Sequence, residues 1–367
     1  RTSLQFHPNI PIFSDMLRSN HLYKLGPIHQ GILERGSKTT SDSYILWPAK
    51  VGAFSLVMGR HVSHQDTSDF PFSYLIEDHS TSYIVPGANL KSVGTIRDAQ
   101  KWPKRDARKD KDKLDCINYN LLSPYTVQKM VRGVSLLKEL KGISGENSDF
   151  YTYQSGKIRN SSLNNGIRLY EMAIDKFLGN SLVTRIMSAE FCNLSELHEQ
   201  LLPSAQYGDG DWVDLSGMIA PKKAVTDVMD EVECGNLSDL SVFDAKMRDM
   251  HANYYEYEWR WAYDMIREFY GVTLADADIE CIKGLVDRWK DSVIALDNML
   301  YVDAGKEFSL SMMTSFGADG DGDQRKQDFI QVRGARFDTD PFVISVKEHI
   351  KVKSDLYEKA VSRLLFK

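Results

Sequence analysis

Leu33 to Val62 reads LERGSK TTSDSY ILWPAK VGAFSL VMGRHV when written in sixes, and the fold turns on that spacing. The first positions are Leu33, Thr39, Ile45, Val51 and Val57; the fifth are Ser37, Ser43, Ala49, Ser55 and His61. An aliphatic or β-branched residue opens each six and a small one follows four later, with His61 the exception. Neither a helix nor a simple alternating strand repeats every six residues. A short fixed period of this kind predicts a parallel β-helix, where the aliphatic side chain fills a narrow core and the small one lets the chain turn a corner. The competing reading is an ordinary β-rich segment whose Ser and Gly punctuate turns. These sixes amount to fewer than two triangular coils, and stacked repeats need about three neighbours to bury a core. Further coils are therefore expected ahead of the segment, or a partner chain over its open end, because a bare coil leaves a row of unpaired backbone groups.

The rest of the composition is ordinary. A chain of 367 residues with 42% hydrophobic and 26% charged residues has room for two or three domains. A net charge of −6 argues against broad nucleic-acid binding. Cys116, Cys192, Cys234 and Cys281 form no C-x-x-C pair and read as free thiols of a reducing compartment. No apolar run is long enough for a bilayer and no secretory signal is present, so a cytoplasmic location without membrane contact is predicted.

In order along the chain, residues 1–24 are a mixed segment and 25–94 hold the coils with their cap. Short strands are predicted at Ser73–Glu77 and Ser82–Val85, with Phe70, Phe72 and Tyr74 closing the coil end. Residues 95–120 form a basic linker, TIRDAQKWPKRDARKDKDKLDCINYN. Residues 121–367 are expected to be α-helical: a helix opens at Ser123-Pro124, a hydroxyl cap followed by proline. NSSLNNG (160–166) reads as a turn, Ile167–Leu178 as an amphipathic helix, and Leu194–Leu202 as a short one. One long aromatic helix is predicted between Leu240 and Tyr270, with Tyr255, Trp259 and Tyr263 four apart on one face. Helices at Asp276–Leu300 and Phe342–Phe366 complete the chain.

Candidate chemistry is sparse. His61 stands where the repeat wants a small residue, and such broken local rules gather at functional sites. With His29 it is the candidate general base for transfer to a hydroxyl or amine; the alternative is that His61 merely ends the repeat. Arg97, Lys101, Lys104 and Arg105 are candidate phosphate contacts, because the guanidinium fork suits phosphate oxygens; a solvated charged face is the alternative. Asp319, Asp321 and Asp323 alternate as in a calcium loop, but Gln324 and Ile330 stand where its glycine and bidentate acid belong, so no metal is assigned.

Gly26–His61, DFPFSYLIE (69–77) and SVGTIRDAQKWPKRDARK (92–109) closely resemble a bacterial family filed as a domain of unknown function, and INYNLLSPYTVQKM and NNGIRLYEMAIDKFLGN look like the same family. The resemblance implies a long left-handed β-helix of hexapeptide repeats ahead of this segment. The fold expectation is thus mixed β and α: the C-terminal coils of a left-handed parallel β-helix followed by a mostly α-helical domain. Left-handed hexapeptide helices mostly belong to acyltransferases and sugar-nucleotide enzymes that work as trimers. By that analogy the chain is expected to be a homo-oligomeric, trimeric transferase using acyl-CoA on a sugar or sugar nucleotide, with no nucleic-acid partner. Two alternatives remain: a non-catalytic oligomeric scaffold, and a nucleotide-binding regulatory module that needs only the basic stretch.

Overall fold

The computed structural model describes residues 31–110, 113 and 115–365. The expectations for residues 1–24 and for His29 fall outside them. The six-residue segment forms six strands of two or three residues: β1 (Ile32–Leu33), β2 (Lys38–Thr39), β3 (Tyr44–Ile45), β4 (Lys50–Val51), β5 (Leu56–Met58) and β6 (Arg60–His61). They pair in parallel, β1 with β4, β2 with β5 and β3 with β6.

The expected left-handed β-helix is overturned by the sheet topology. A regular solenoid keeps one offset on every face. Here Ile32 faces Lys50 and Lys38 faces Leu56, eighteen residues on, but Tyr44 faces Arg60, only sixteen on. Two of the sheets stop at two strands. The third continues β5 into β7 (Tyr74–Asp78), which then turns back antiparallel on β8 (Thr81–Val85). The hairpin β9 (Phe150–Tyr153) and β10 (Gly156–Arg159) completes a mixed six-stranded sheet in the order β2-β5-β7-β8-β10-β9. The chain is therefore mixed α and β, with short strands in small sheets and a helical C-terminal region. The aliphatic positions still point inward, since Ile45, Val51 and Val57 are buried and join one core with Phe70, Phe72 and the helices.

Ten α-helices follow among the described residues: α1 (Val93–Arg105), α2 (Pro124–Ser144), α3 (Asn160–Ser188), α4 (Leu194–Leu201), α5 (Lys222–Glu233), α6 (Leu240–Ala252), α7 (Tyr254–Tyr270), α8 (Ile279–Lys306), α9 (Gly322–Arg333) and α10 (Pro341–Leu364). A hairpin, β11 (Trp212–Leu215) with β12 (Met218–Pro221), precedes α5. Ser123 caps α2 as the sequence predicts: Thr126 N donates to Ser123 Oγ at 3.4 Å, and the Thr126 hydroxyl accepts from Ser123 N at 3.0 Å.

Helix α3 is the central pillar, packed against α2, α7, α8 and α10. Its approach to α8 is close because Gly179 lies there: a Cβ would sit 2.3 Å from that of Trp289. NSSLNNG, predicted as a turn, is instead the first turns of α3, since tertiary packing of Leu163 and Gly166 outweighs weak local propensity. The aromatic helix is broken at Asn253 into α6 and α7. The buried aromatics of α7 are Tyr254, Tyr257, Trp259 and Trp261, whereas Tyr255 is 65% exposed. The stretch expected as a basic linker is helical to Arg105, and the described residues from Asp106 to Asn120 belong to no helix or strand.

Candidate functional site

The predicted site residues do not assemble into one site. His61 is fully buried. One ring nitrogen lies 3.1 Å from the Met58 carbonyl, which can only accept, so Nε2 carries the proton. Nδ1 then accepts from the Ser82 hydroxyl at 2.8 Å. Burial pulls the ring's pKa below its ordinary value, against the opposing pull of Met58 and Glu77. Neither nitrogen is left to take a substrate proton.

Arg97 pairs with Glu307 at 3.5 Å and Lys101 with Asp98 at 3.3 Å. Asp98 also receives Lys38 at 3.0 Å. Burial works against the charge of Asp98, but the two lysines outweigh it and hold the carboxyl below the usual range. These pairs fasten α1 to β2 and to the end of α8. Lys104 and Arg105 are exposed at the tip of α1 and make no ion pair among the described residues. The four candidates therefore do not converge on one point.

The convergence lies a few residues further on. Arg108, Lys113, Asp115, Cys116, Ile117 and Tyr119 face Arg248 and His251 of α6 across a cleft of about 390 Å³. Arg108 grips Asp106 with two parallel hydrogen bonds, Nε to Oδ1 at 2.9 Å and Nη2 to Oδ2 at 2.8 Å, and its Nη1 reaches Asp115 at 2.8 Å. Lys113 Nζ comes to the same Asp106 Oδ2, at 2.6 Å. Arg248 donates to the Lys113 carbonyl at 2.8 Å and to Asp244 at 2.6 Å, tying α6 to the segment. Hydrogen bonds from Arg108, then from Lys113, hold the Asp106 carboxyl far below the usual carboxylate range. Its bonds to Asp106, then to Asp115, raise Arg108 above its ordinary value. Burial pushes the Cys116 thiol up, opposed by Arg248, which disfavours the thiolate. Sequence reading weighed Arg108 and Lys113 among eight basic residues but could not see α6 arriving opposite them, 130 and more positions away.

A second charged cluster was missed altogether. Glu34 and Arg35 are buried in the turn after β1. Lys129 Nζ of α2 lies 2.5 Å from Glu34 Oε1 and 3.2 Å from the Ser68 carbonyl, while Ala53 N donates to Glu34 Oε2 at 3.0 Å. Burial raises the Glu34 carboxyl, opposed by Lys129. Arg35 donates to the Asn118 carbonyl and faces Asp214 of β11 at 3.8 Å. Burial lowers Arg35, opposed by Asp214. Two guanidinium nitrogens, Asp214 Oδ2 and the Tyr254 hydroxyl have no hydrogen-bond partner among the described residues. Burial also lifts Glu258, beside Tyr254 and Ser181, to about 7. The signal was present in the sequence only as a Glu-Arg pair inside the coil repeat, where outward-facing residues were expected.

Asp321 accepts from Asp323 N and Gln324 N at 3.0 and 2.9 Å, which makes it the N-cap of α9. Among the described residues no group of His, Cys, Asp and Glu could hold a metal ion, and no helix is long and apolar enough to cross a membrane.

Residues 12–141 match the family model described as Domain of unknown function (DUF4954), and residues 193–364 match a second, Domain of unknown function (DUF6819). Both matched families are domains of unknown function, in keeping with the family-level resemblance. No curated protein and no solved structure matches it. The cleft and the buried network both join residues of the first matched region to residues of the second.

Proposed function

We propose that the chain is a binding module for a phosphate-bearing small molecule, held in the cleft between 108–119 and α6. The observation that carries this reading is the convergence of the Arg108 fork and the Lys113 ammonium on one carboxylate oxygen, at 2.8 and 2.6 Å. A planar fork and a point charge aimed at a single oxygen suit a phosphoryl group. A cleft of about 390 Å³ lies within the usual range for small-molecule sites. Tyr119, 41% exposed, and Ile117 supply an apolar wall for the rest of the ligand. The transferase expectation leaned on the β-helix, which the sheet topology overturns, and on His61 or His29; both ring nitrogens of His61 are engaged inside the core, and His29 lies outside the described residues.

The test is a thermal-shift and calorimetric titration of the full chain at low salt with inorganic pyrophosphate, a nucleoside diphosphate and a sugar nucleotide. A ligand at about 100 times its Kd adds about 2.7 kcal/mol to a native state that alone binds it. A rise of several degrees is expected, abolished in the double variant Arg108→Ala, Lys113→Ala. No shift and no heat from any of the three at millimolar concentration would overturn the reading.

A further inference from the structure

Asp106 directly follows Arg105 at the end of α1, and its carboxylate is the shared acceptor of two of the cleft's cations, Arg108 and Lys113. It accepts four donors: Arg108 N at 3.2 Å, Arg108 Nε at 2.9 Å, Arg108 Nη2 at 2.8 Å and Lys113 Nζ at 2.6 Å. Its side chain is only 11% exposed, whereas those of Arg108 and Lys113 are 43% and 48% exposed. The cations are thus open to solvent on their outer faces while their inner faces close on a carboxylate of their own chain. A carboxylate in a fork of this kind presents two oxygens where a phosphoryl group presents three, so it makes the same contacts with less charge.

We infer that Asp106 is a built-in stand-in for the ligand's phosphate, so that the site is self-occupied and binding proceeds by exchange of one oxyanion for another. This rests on the phosphate-binding reading of the cleft and adds its regulation. Two consequences follow. First, the ligand's apparent affinity is reduced by the fraction of time the seat is free. Second, the position of Asp106 at the end of α1 couples occupancy to that helix: release of the carboxylate frees the connection from α1 to residues 108–119. The groups that face Asp106 are Arg108 and Lys113; Asp115 holds Arg108 from its other side and keeps the fork oriented when Asp106 leaves.

The experiment compares pyrophosphate binding to the full chain with binding to Asp106→Asn and to Asp110→Asn. Asp110 lies in the same stretch and makes no ion pair among the described residues, so its variant carries the same change of net charge without emptying the seat. Asp106→Asn is expected to bind about tenfold more tightly, the gain from a seat occupied about nine-tenths of the time. Asp110→Asn is expected to change affinity by less than about twofold, since a solvated charge is screened. If the wild type binds and Asp106→Asn binds equally or more weakly, the stand-in role is overturned and the binding reading survives. If both Asp variants tighten alike, the effect is net charge and the stand-in role is again overturned. If neither the wild type nor Asp106→Asn binds while both keep their far-UV dichroism, the binding reading itself has failed.

Discussion

The Glu34–Lys129 pair and the Asp106–Arg108–Lys113 cluster use the same chemistry in opposite surroundings. Both set a carboxylate against cations at 2.5 to 2.8 Å. Glu34 and Lys129 are 8% and 9% exposed at the side chain, and backbone adds a contact to each, Ala53 N on Glu34 and the Ser68 carbonyl on Lys129. Arg108 and Lys113 are nearly half exposed. In the interior the alternative to the pair is a buried charge without its counter-ion, so neither partner can readily let go. In the cleft the alternative is water or another oxyanion, so the partners can be exchanged. Burial rather than bond length separates a pair that holds the fold from one that can be displaced by a ligand.

The sharpest way to break that contrast is Lys129→Met. It strands the Glu34 carboxylate and should lower stability by about 3–5 kcal/mol in denaturant melts. The double variant Glu34→Met, Lys129→Met should lose distinctly less, because no buried charge remains. Equal losses in the single and double variants would place the energy in side-chain packing, and the contrast would fail.

Glu258 tests the interior by titration. Its pKa is about 7 when folded, against 4.5 as the ordinary value. The folded state therefore holds this proton more tightly than the unfolded one. The stabilisation is full below about pH 4.5 and is lost as pH rises through about 7. The span corresponds to about 3 kcal/mol. Glu258→Gln should flatten the stability profile between those two values; an unchanged slope would show that another group carries it.

His61 gives the next effect. Its two ring nitrogens satisfy Ser82 and Met58 inside the core. His61→Ala would leave both partners unpaired, at about 1–3 kcal/mol for a buried unsatisfied group. A variant with wild-type stability would mean that the ring is not the internal bracket described.

Much of this architecture is legible in the residues. The hydroxyl-proline pair at Ser123–Pro124 marks the start of α2 because the cap is local chemistry. Periodicity found the helices near 194, 279 and 341 for the same reason. The six-residue period correctly marked Ile45, Val51 and Val57 as buried, yet it misled about the assembly. Period reports which residues face inward, while the register between distant strands decides whether coils stack, and the change of offset at Tyr44–Arg60 is invisible in a single chain. The site was half visible. The basic stretch announced itself, but which of its eight cations point together depended on where α1 stops and where α6 arrives. Glu34, Arg35 and Asp214 could not be seen, because buried charge looks like surface charge until its partners are known.

The smallest expected effect is on the surface side of the comparison. Asp106→Asn removes the carboxylate that Arg108 and Lys113 share, yet the hydrogen bonds it makes are replaceable by water on the open faces of both cations. Exposed pairs contribute little because solvent competes for both partners and salt screens them. The melting temperature of Asp106→Asn in the absence of ligand is expected to match the wild type, and to respond to added salt no more than the wild type does. The amide keeps the shape and one acceptor oxygen, so the end of α1 need not move. A clear loss of stability in this variant would mean that the cluster braces the 106–119 segment as firmly as Glu34 and Lys129 brace the interior, and a carboxylate that the fold cannot release could not give up its seat to a phosphate.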